Sequence, residues 1–406
     1  MYTVGILWIN IKTLCYNVIC FYNNHYLQVK DMQKPARDFS EVKRIVVKVG
    51  SSSLIYDTGK PNLARMEMLV RQLADLHNRG LDILLVTSGA IGVGFNRLGY
   101  SQKPKSIPEK QAAAAVGQGI LMHMYEKFFA EYGVMVGQIL LTREDFSDRR
   151  RFLNARNTMY ALLGLRVIPV INENDTVTVE EIKLGDNDTL AAQVAGLVDA
   201  DLLLLLSDID GLYTSNPKTD PGAIIIPMVT EINREIEAMA GGAGSSVGTG
   251  GMSTKLHAAR MAMHSGLPTV LAGAGSEDII RRVVAGEQVG TVFWPSVRLD
   301  NKKRWIAYCA AVQGKLHVDE GAVQALLHRG KSLLPSGITR VEGVFDMGNT
   351  VSVIAPDGRE IARGIVNYSA GEVNLIKGLK TRDIQGVLGH KDYDEVVHRN
   401  NLVLDI

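Results

Sequence analysis

The sequence predicts an α/β fold: a mostly parallel sheet with helices on both faces, followed by a small β-rich domain. Three observations predict it. Strand candidates between residues 43 and 273 are apolar throughout, with no polar alternation. Segments of helical period separate them. After residue 296 the pattern changes to short strands of alternating character. Strands covered on both faces read as continuous apolar runs, and helix-separated runs of that kind form parallel sheets.

The elements follow in order. KRIVVKV (43–49) is β-branched and stops at a glycine and three serines, so it reads as a buried strand. Residues 63–79 place Leu63, Met66, Leu69, Val70, Leu73 and Leu76 on one helical face. DILLVTS (82–88) is a strand, 108–131 an Ala-rich helix and VMVGQILL (134–141) a strand. Helix 149–163 leads to strand RVIPVIN (166–172), helix 188–198 to the most apolar strand, DLLLLLS (201–207), and helix 252–265 to LPTVLAG (267–273). RLDNKKRW (298–305) then reads as part of a charged linker over 296–312. Beyond it ITRVEGVF (338–345), TVSVIAP (350–356) and EIARGIVNY (360–368) alternate as strands, with the turn signal PDG (356–358) between the last two. The second domain is therefore expected over 313–406 and the first over 41–295. No internal repeat of solenoid period is found, and the one biased stretch is the glycine-rich 241–251.

Composition narrows the function. A chain of 406 residues with 46% hydrophobic and 21% charged residues is an ordinary globular protein. A formal net charge of +1 gives no long-range attraction to nucleic acid or anionic membrane. Three cysteines, Cys15, Cys20 and Cys309, make no disulfide framework and no second pair completes a metal site, so a reducing, cytoplasmic setting is expected. Residues 1–40 differ from the rest and are expected to lie outside the folded core. The apolar stretch there is broken by Asn10, Lys12 and Asn17, too often for a membrane span, and it lacks the basic start and cleavage site of a signal peptide. Met32 reads as a start just ahead of the first strand, which would make 1–31 upstream sequence.

In open α/β sheets ligands bind outside the carboxyl ends of the strands. Four such ends carry small or polar residues. Lys48 and Gly50 to Ser53 follow the first strand, Thr87 to Gly92 the second, Asn172 to Asp175 the central one, and Ser207 to Gly211 the apolar one. Each alone also fits a turn or helix cap; their co-occurrence in one sheet carries the weight. Neither G-x-x-x-x-G-K-[ST] nor a strand-borne G-x-G-x-x-G is present. Instead Gly248, Thr249, Gly250, Gly251, Met252, Ser253, Thr254 and Lys255 run from a flexible loop into a helix. A lysine in the first turn opposes the helix dipole, and a bound polyphosphate would reverse that sign.

These segments, KVGSS (48–52), VTSGAIGVG (86–94), INENDTV (171–177), GDNDTLAA (185–192), SDIDGLY (207–213) and GTGGMSTK (248–255), resemble the amino acid kinase family, and within it the members that phosphorylate the side-chain carboxylate of glutamate. The likeness spans about 41–295. HVDEGAVQALLHRGKSLLPSGI (317–338), GREIARGIVNY (358–368) and VVHRNNLVL (396–404) resemble a PUA domain; the first forty residues have no counterpart. The resemblance implies a three-layer αβα sandwich using ATP and Mg²⁺ to convert L-glutamate to γ-glutamyl 5-phosphate on the route to proline. It also implies feedback inhibition by proline, a homo-oligomer (dimer or tetramer) and coupling to glutamate 5-semialdehyde dehydrogenase. By matching positions, Lys48 resembles the phosphate-binding lysine, and Ser88, Asp175 and Asn187 the glutamate-binding set. Ser207 and Asp208 resemble a nucleotide-contacting pair, with serine where threonine is common, and Thr249 to Lys255 resemble the nucleotide loop.

A carboxylate with a pKa of about 4.3 is already ionised at neutral pH, so its phosphorylation needs no general base. None of the nine histidines is required. The task is electrostatic, and Lys48 and Lys255 with Mg²⁺ are the natural set, with Asp188 orienting the two lysines. No protein ligand for Mg²⁺ is assigned, because the phosphates can hold it. Asp175 suits the substrate ammonium, while Asn172, Asn174 and Asn187 suit its carboxylates. Rival readings are another carboxylate or phosphate kinase of the same family, or RNA binding through the last domain. Residues 313–406 carry 11 Lys and Arg against 12 Asp and Glu, which argues against an RNA footprint.

Overall fold

The computed structural model describes residues 37–404 apart from 57, 101–104, 179–186, 241–250, 296–300 and 309. Residues 39 onward form one compact unit, and most of the preceding segment lies outside the described residues.

Eight strands make the first sheet: β1 (Arg44–Val49), β2 (Asp82–Val86), β3 (Met135–Leu141), β4 (Val167–Glu173), β5 (Leu202–Ser207), β6 (Met228–Val229), β7 (Thr269–Gly273) and β8 (Thr291–Phe293). Their order is β3-β4-β2-β1-β5-β7-β8-β6. All neighbours are parallel except β7 and β8. The unbroken apolar strands divide their side chains between two cores. In β1, Val46 enters one core and Ile45, Val47 and Val49 the other; in β5, Leu203 and Leu205 oppose Leu202, Leu204 and Leu206. That period-2 alternation of apolar on apolar is what a helix-covered sheet requires.

On one face pack α1 (Leu63–Asn78), through Met66, Val70 and Leu73, and α3 (Ile107–Ala130), through Leu121, Tyr125 and Phe129. On the other pack α4 (Arg149–Gly164), α5 (Asn187–Leu197) and α6 (Met252–His264). The result is three layers, helix on sheet on helix. Local chemistry sets the helix starts: Asn62 accepts from Arg65 N, Ser106 and Glu109 form a reciprocal capping box, and Asp148 accepts from Arg151 N at 2.8 Å. Helix α2 (Ala90–Arg97) crosses α3 so closely that a Cβ on Gly94 would stand 1.7 Å from Ala113 O, and one on Gly117 1.8 Å from Ala90 O. The small residues of the Ala-rich segment exist for this crossing.

The second sheet contains β9 (Val312–Val318), β10 (Ile338–Gly343), β11 (Thr350–Ile354), β12 (Glu360–Val366) and β13 (Val397–Leu404), ordered β10-β9-β11-β12-β13. It is antiparallel except between β9 and β11, and buries Leu316, Val351, Val353, Ile361 and Val366 in a core of its own. The PDG turn joins β11 to β12, with Gly358 at φ +84°.

Two stretches differ in detail from the sequence reading. The segment 296–312, read as a linker, contains helix α7 (Asn301–Tyr308). Ile306 and Ala307 are fully buried and cluster with Val403 of β13, while Trp305 Nε1 donates to Phe146 O at 3.1 Å. The charged start of the segment masked the apolar patch behind it. Phe39, placed in the extension over 1–40, is buried in the first domain's core, 6.1 Å from Trp294 between ring centroids.

Candidate active site

Strand β1 lies between β2 and β5, so the chain passes to one side of it and then returns on the other. A crevice opens beyond the carboxyl ends at such a reversal. Lys48 stands near the end of β1, Ser88 just past β2, Asn172 near the end of β4 and Ser207 at the end of β5. The register aligns them: Lys48 pairs with Val86 on one side and Leu205 on the other.

One half of the site is ionic. Asp188, in the first turn of α5, is completely buried. Its Oδ1 lies 2.5 Å from Lys48 Nζ and its Oδ2 3.1 Å from Lys255 Nζ. Thr254 Oγ1 lies 3.2 Å from the same Oδ2 and 2.9 Å from Gly251 O. Burial alone pushes the Asp188 carboxyl up, but the ammonium groups of Lys48 and Lys255 outweigh it and hold the carboxyl below the ordinary carboxylate range. Lys255, expected in the first turn of a helix, lies buried in α6 and is drawn inward by Asp188. Two ammonium groups thus converge on one carboxylate, leaving a net charge of +1, which suits a multivalent anion.

The other half is neutral. Asn187 Nδ2 lies 2.8 Å from Thr87 O, 2.7 Å from Ser88 Oγ and 3.0 Å from Asn172 Oδ1. Asn172 also accepts from Glu173 N at 2.9 Å and donates from Nδ2 to Gln118 Oε1 at 2.9 Å. Thr87 Oγ1 shares a 2.8 Å hydrogen bond with the buried Tyr125 hydroxyl. Gly89, at φ +103°, turns the chain from β2 into α2 just past Ser88. A side chain there would be strained and would meet Ile55 at 2.7 Å.

The structure therefore brings Lys48, Asp188, Thr254 and Lys255 together, and Ser88, Asn172 and Asn187 together. Asn187 and Asp188 are consecutive, so one helix start serves both halves. Asn174 and half-buried Asp175 lie in the turn after β4, where Asn174 receives the Thr176 hydroxyl at 2.5 Å. Ser207 donates to exposed Asp208 at 3.0 Å beyond β5. Gly251, Met252 and Ser253 begin α6, whereas Thr249 and Gly250 lie outside the described residues. Among the described residues no three His, Cys, Asp or Glu side chains converge as a metal cage, and Asp188 spends both oxygens on lysines. That donor set fits an ion that arrives on phosphates. Sequence reading missed Gln118 and Tyr125, while Thr87 falls within the strand end it singled out. The available signal was a glutamine beside Gly117 in a stripe of small residues, where nothing else is polar and large.

Comparison with known proteins identifies the family. The amino acid kinase family matches residues 43–273 and the PUA domain residues 314–388. A glutamate 5-kinase of Moorella thermoacetica is 57% identical over 366 residues, covering 90% of this chain and 97% of that protein. Those of Carboxydothermus hydrogenoformans, 57% identical over 364 residues, and Caldanaerobacter subterraneus, 56% over 362, each cover 89% of this chain and 98% and 97% of their own length. This chain belongs to the amino acid kinase family, within its glutamate 5-kinase branch, and carries a C-terminal PUA domain.

Proposed function

We propose that the protein transfers the γ-phosphoryl group of ATP to the side-chain carboxylate of L-glutamate, giving γ-glutamyl 5-phosphate and ADP, the first step of proline biosynthesis. The observation that carries this reading is Asp188 holding Lys48 and Lys255 together, buried, at the reversal point of the sheet. Phosphoryl transfer between two anions is positioning plus charge neutralisation. Lys48 and Lys255 offset the charge of the transferring phosphoryl group and of the leaving phosphate, and Asp188 fixes where their ammonium groups stand. The acceptor carboxylate attacks as it is, already ionised. Ser207, Asp208 and the segment from Thr249 to Lys255 take the nucleotide; Ser88, Asn187 and Asp175 take glutamate. Mg²⁺ bound to the phosphates would supply further neutralisation of the triphosphate, held mainly by the nucleotide and water.

The same reading makes the protein a cytoplasmic homo-oligomer, inhibited by proline and coupled to glutamate 5-semialdehyde dehydrogenase, which consumes a labile acyl phosphate. No described helix is long and apolar enough to cross a membrane. A coupled assay of ADP release tests the reaction. Turnover is expected to depend on L-glutamate and to fall as proline is titrated in. Faster turnover with N-acetylglutamate would overturn the substrate assignment.

A further inference from the structure

Two backbone groups fix the orientation of every amide in the neutral half of the site. The atom of Asn172 that accepts from the Glu173 backbone N–H must be its oxygen. Its Nδ2 therefore faces Gln118, which must present Oε1 to it and turn Nε2 away. The atom of Asn187 that meets the Thr87 carbonyl must be Nδ2, which leaves Oδ1 over. Among the described residues Gln118 Nε2 and Asn187 Oδ1 have no hydrogen-bond partner, and both atoms are buried. Gln118 as a whole is 8% exposed. A buried amide normally finds partners for both its atoms. Here one donor and one acceptor are left over in a single cluster, linked through Asn172 and beside Ser88.

A donor and an acceptor of fixed position complement a zwitterion. Resting on the glutamate reading above, we propose that Gln118 binds substrate, its Nε2 donating to the α-carboxylate while Asn187 Oδ1 accepts from the α-ammonium. Asn172 is then a positioning residue: its oxygen and one N–H are spent on Asn187, Glu173 and Gln118. The side-chain carboxylate takes the other end of the site, beside Lys48 and Lys255, where the donors are cationic.

Gln118→Glu separates substrate contact from mere support. It keeps an acceptor for Asn172 Nδ2 and replaces the N–H with a second carboxyl oxygen. At pH 8 the KM for L-glutamate is expected to rise about tenfold or more, the loss typical of a hydrogen bond to a charged group. The rise should shrink as pH is lowered and the new carboxyl takes up a proton, while the KM for ATP stays at the wild-type value. Gln118→Met, which removes the donor without adding charge, should raise the KM for glutamate with no added pH dependence, and serves alone if the glutamate variant does not fold. A wild-type KM for glutamate in either folded variant overturns the proposal. So does an equal rise in both KM values with a lowered Tm, which marks a structural role. Wild-type ADP release is measured first: if it does not depend on glutamate, the function reading fails, not the assignment of Gln118.

Discussion

The ionic and neutral halves of the site meet at adjacent residues, Asp188 and Asn187, yet they are built on opposite principles. In the ionic half one carboxylate serves two ammonium groups, so the cluster keeps an excess positive charge inside the protein. Such a cluster is tolerable because Asp188 compensates half of its positive charge, and useful because a bound phosphate would compensate the rest. In the neutral half no group carries a formal charge, and orientation is everything: backbone N–H and C=O groups decide which end of each amide faces where. The difference teaches what each half can do. A charged cluster changes the energy of a reacting anion; a chain of oriented amides selects a molecule by the pattern of its donors and acceptors. Substitutions in the first should act on kcat, and in the second on the KM for the amino acid.

The largest effect is expected for Lys255→Ala. Removing one of the two cations should slow turnover by about 10²–10³, the loss seen for a single group that stabilises developing charge. It also leaves Asp188 with Lys48 alone, so a fall in Tm should accompany it. Steady-state kinetics and thermal unfolding check both, and near-normal kcat in the folded variant would remove Lys255 from the ionic half.

Gly117→Ala tests the neutral half from behind. The new Cβ would sit 1.8 Å from Ala90 O and 2.6 Å from Gly94 N, so α2 and α3 must separate. Overpacking of this kind costs about 1–3 kcal/mol. Because Gln118 is the next residue, the KM for glutamate should rise while that for ATP holds. Gly119→Ala is the control on the same helix. Nothing lies within 4 Å of its Cβ, and alanine there should stabilise α3 by up to about 1 kcal/mol. If both variants gave the same kinetics, the helix crossing would have no part in placing the amides.

Thr254→Val should do less. The hydroxyl has one hydrogen to share between Asp188 and Gly251 O, and the latter is nearer. The expected loss is about 1 kcal/mol, read as less than a tenfold fall in kcat with both KM values held. An effect as large as that of Lys255→Ala would make Thr254 a full member of the ionic half.

The fold was legible in the sequence because its strands are buried on both faces. LLLLL in β5 and IVV in β1 leave no alternative to a helix-covered sheet, and the four strand ends could be listed before their neighbours were known. What could not be read was pairing between amides across distance. The sequence offers Asp188 as the residue that orients the two lysines, although Lys255 is 67 residues away, but it gives no sign that Asn172 meets Gln118, 54 residues away. The local signal at Gln118, one large polar residue in a stripe of small ones, does not say what it meets, because its partner Asn172 comes from a distant strand. The helix at 301–308 was hidden for a different reason: charges at one end of a short amphipathic segment look like a solvated connection until the surface that receives Trp305 and Ile306 is known.

The smallest effect on either half should come from removing the second domain, and α7 decides where to cut. None of the clustered site residues lies beyond Lys255, so both halves should survive deletion of the C-terminal sheet. Helix α7, however, belongs to the first domain as much as to the second. Trp305 donates to Phe146 O, Tyr308 O accepts from Gln193 Nε2 at 3.2 Å, and Arg149 lies over the Trp305 ring, 5.9 Å from its centroid. On its other side Arg363 Nη1 donates to Ala307 O at 2.7 Å. A chain ending at residue 311 keeps the first set of contacts and loses the second; one ending at 295 loses both and uncovers the hollow formed by Phe152, Met261 and Ser265. Two hydrogen bonds at about 1 kcal/mol each and a cation–π contact at about 0.5–1 kcal/mol separate the two truncations. The longer one should therefore unfold at the higher temperature, and both should release ADP in response to glutamate with KM values near those of the full chain. Any change in metal or proline response would be a coupling of about 1–3 kcal/mol between domains rather than a loss of chemistry. Kinetics and circular dichroism of the two truncations, side by side, make the test. A folded but inactive chain ending at 311 would mean that the second domain completes the site, and the separation of the ionic and neutral halves from the rest of the molecule would not stand.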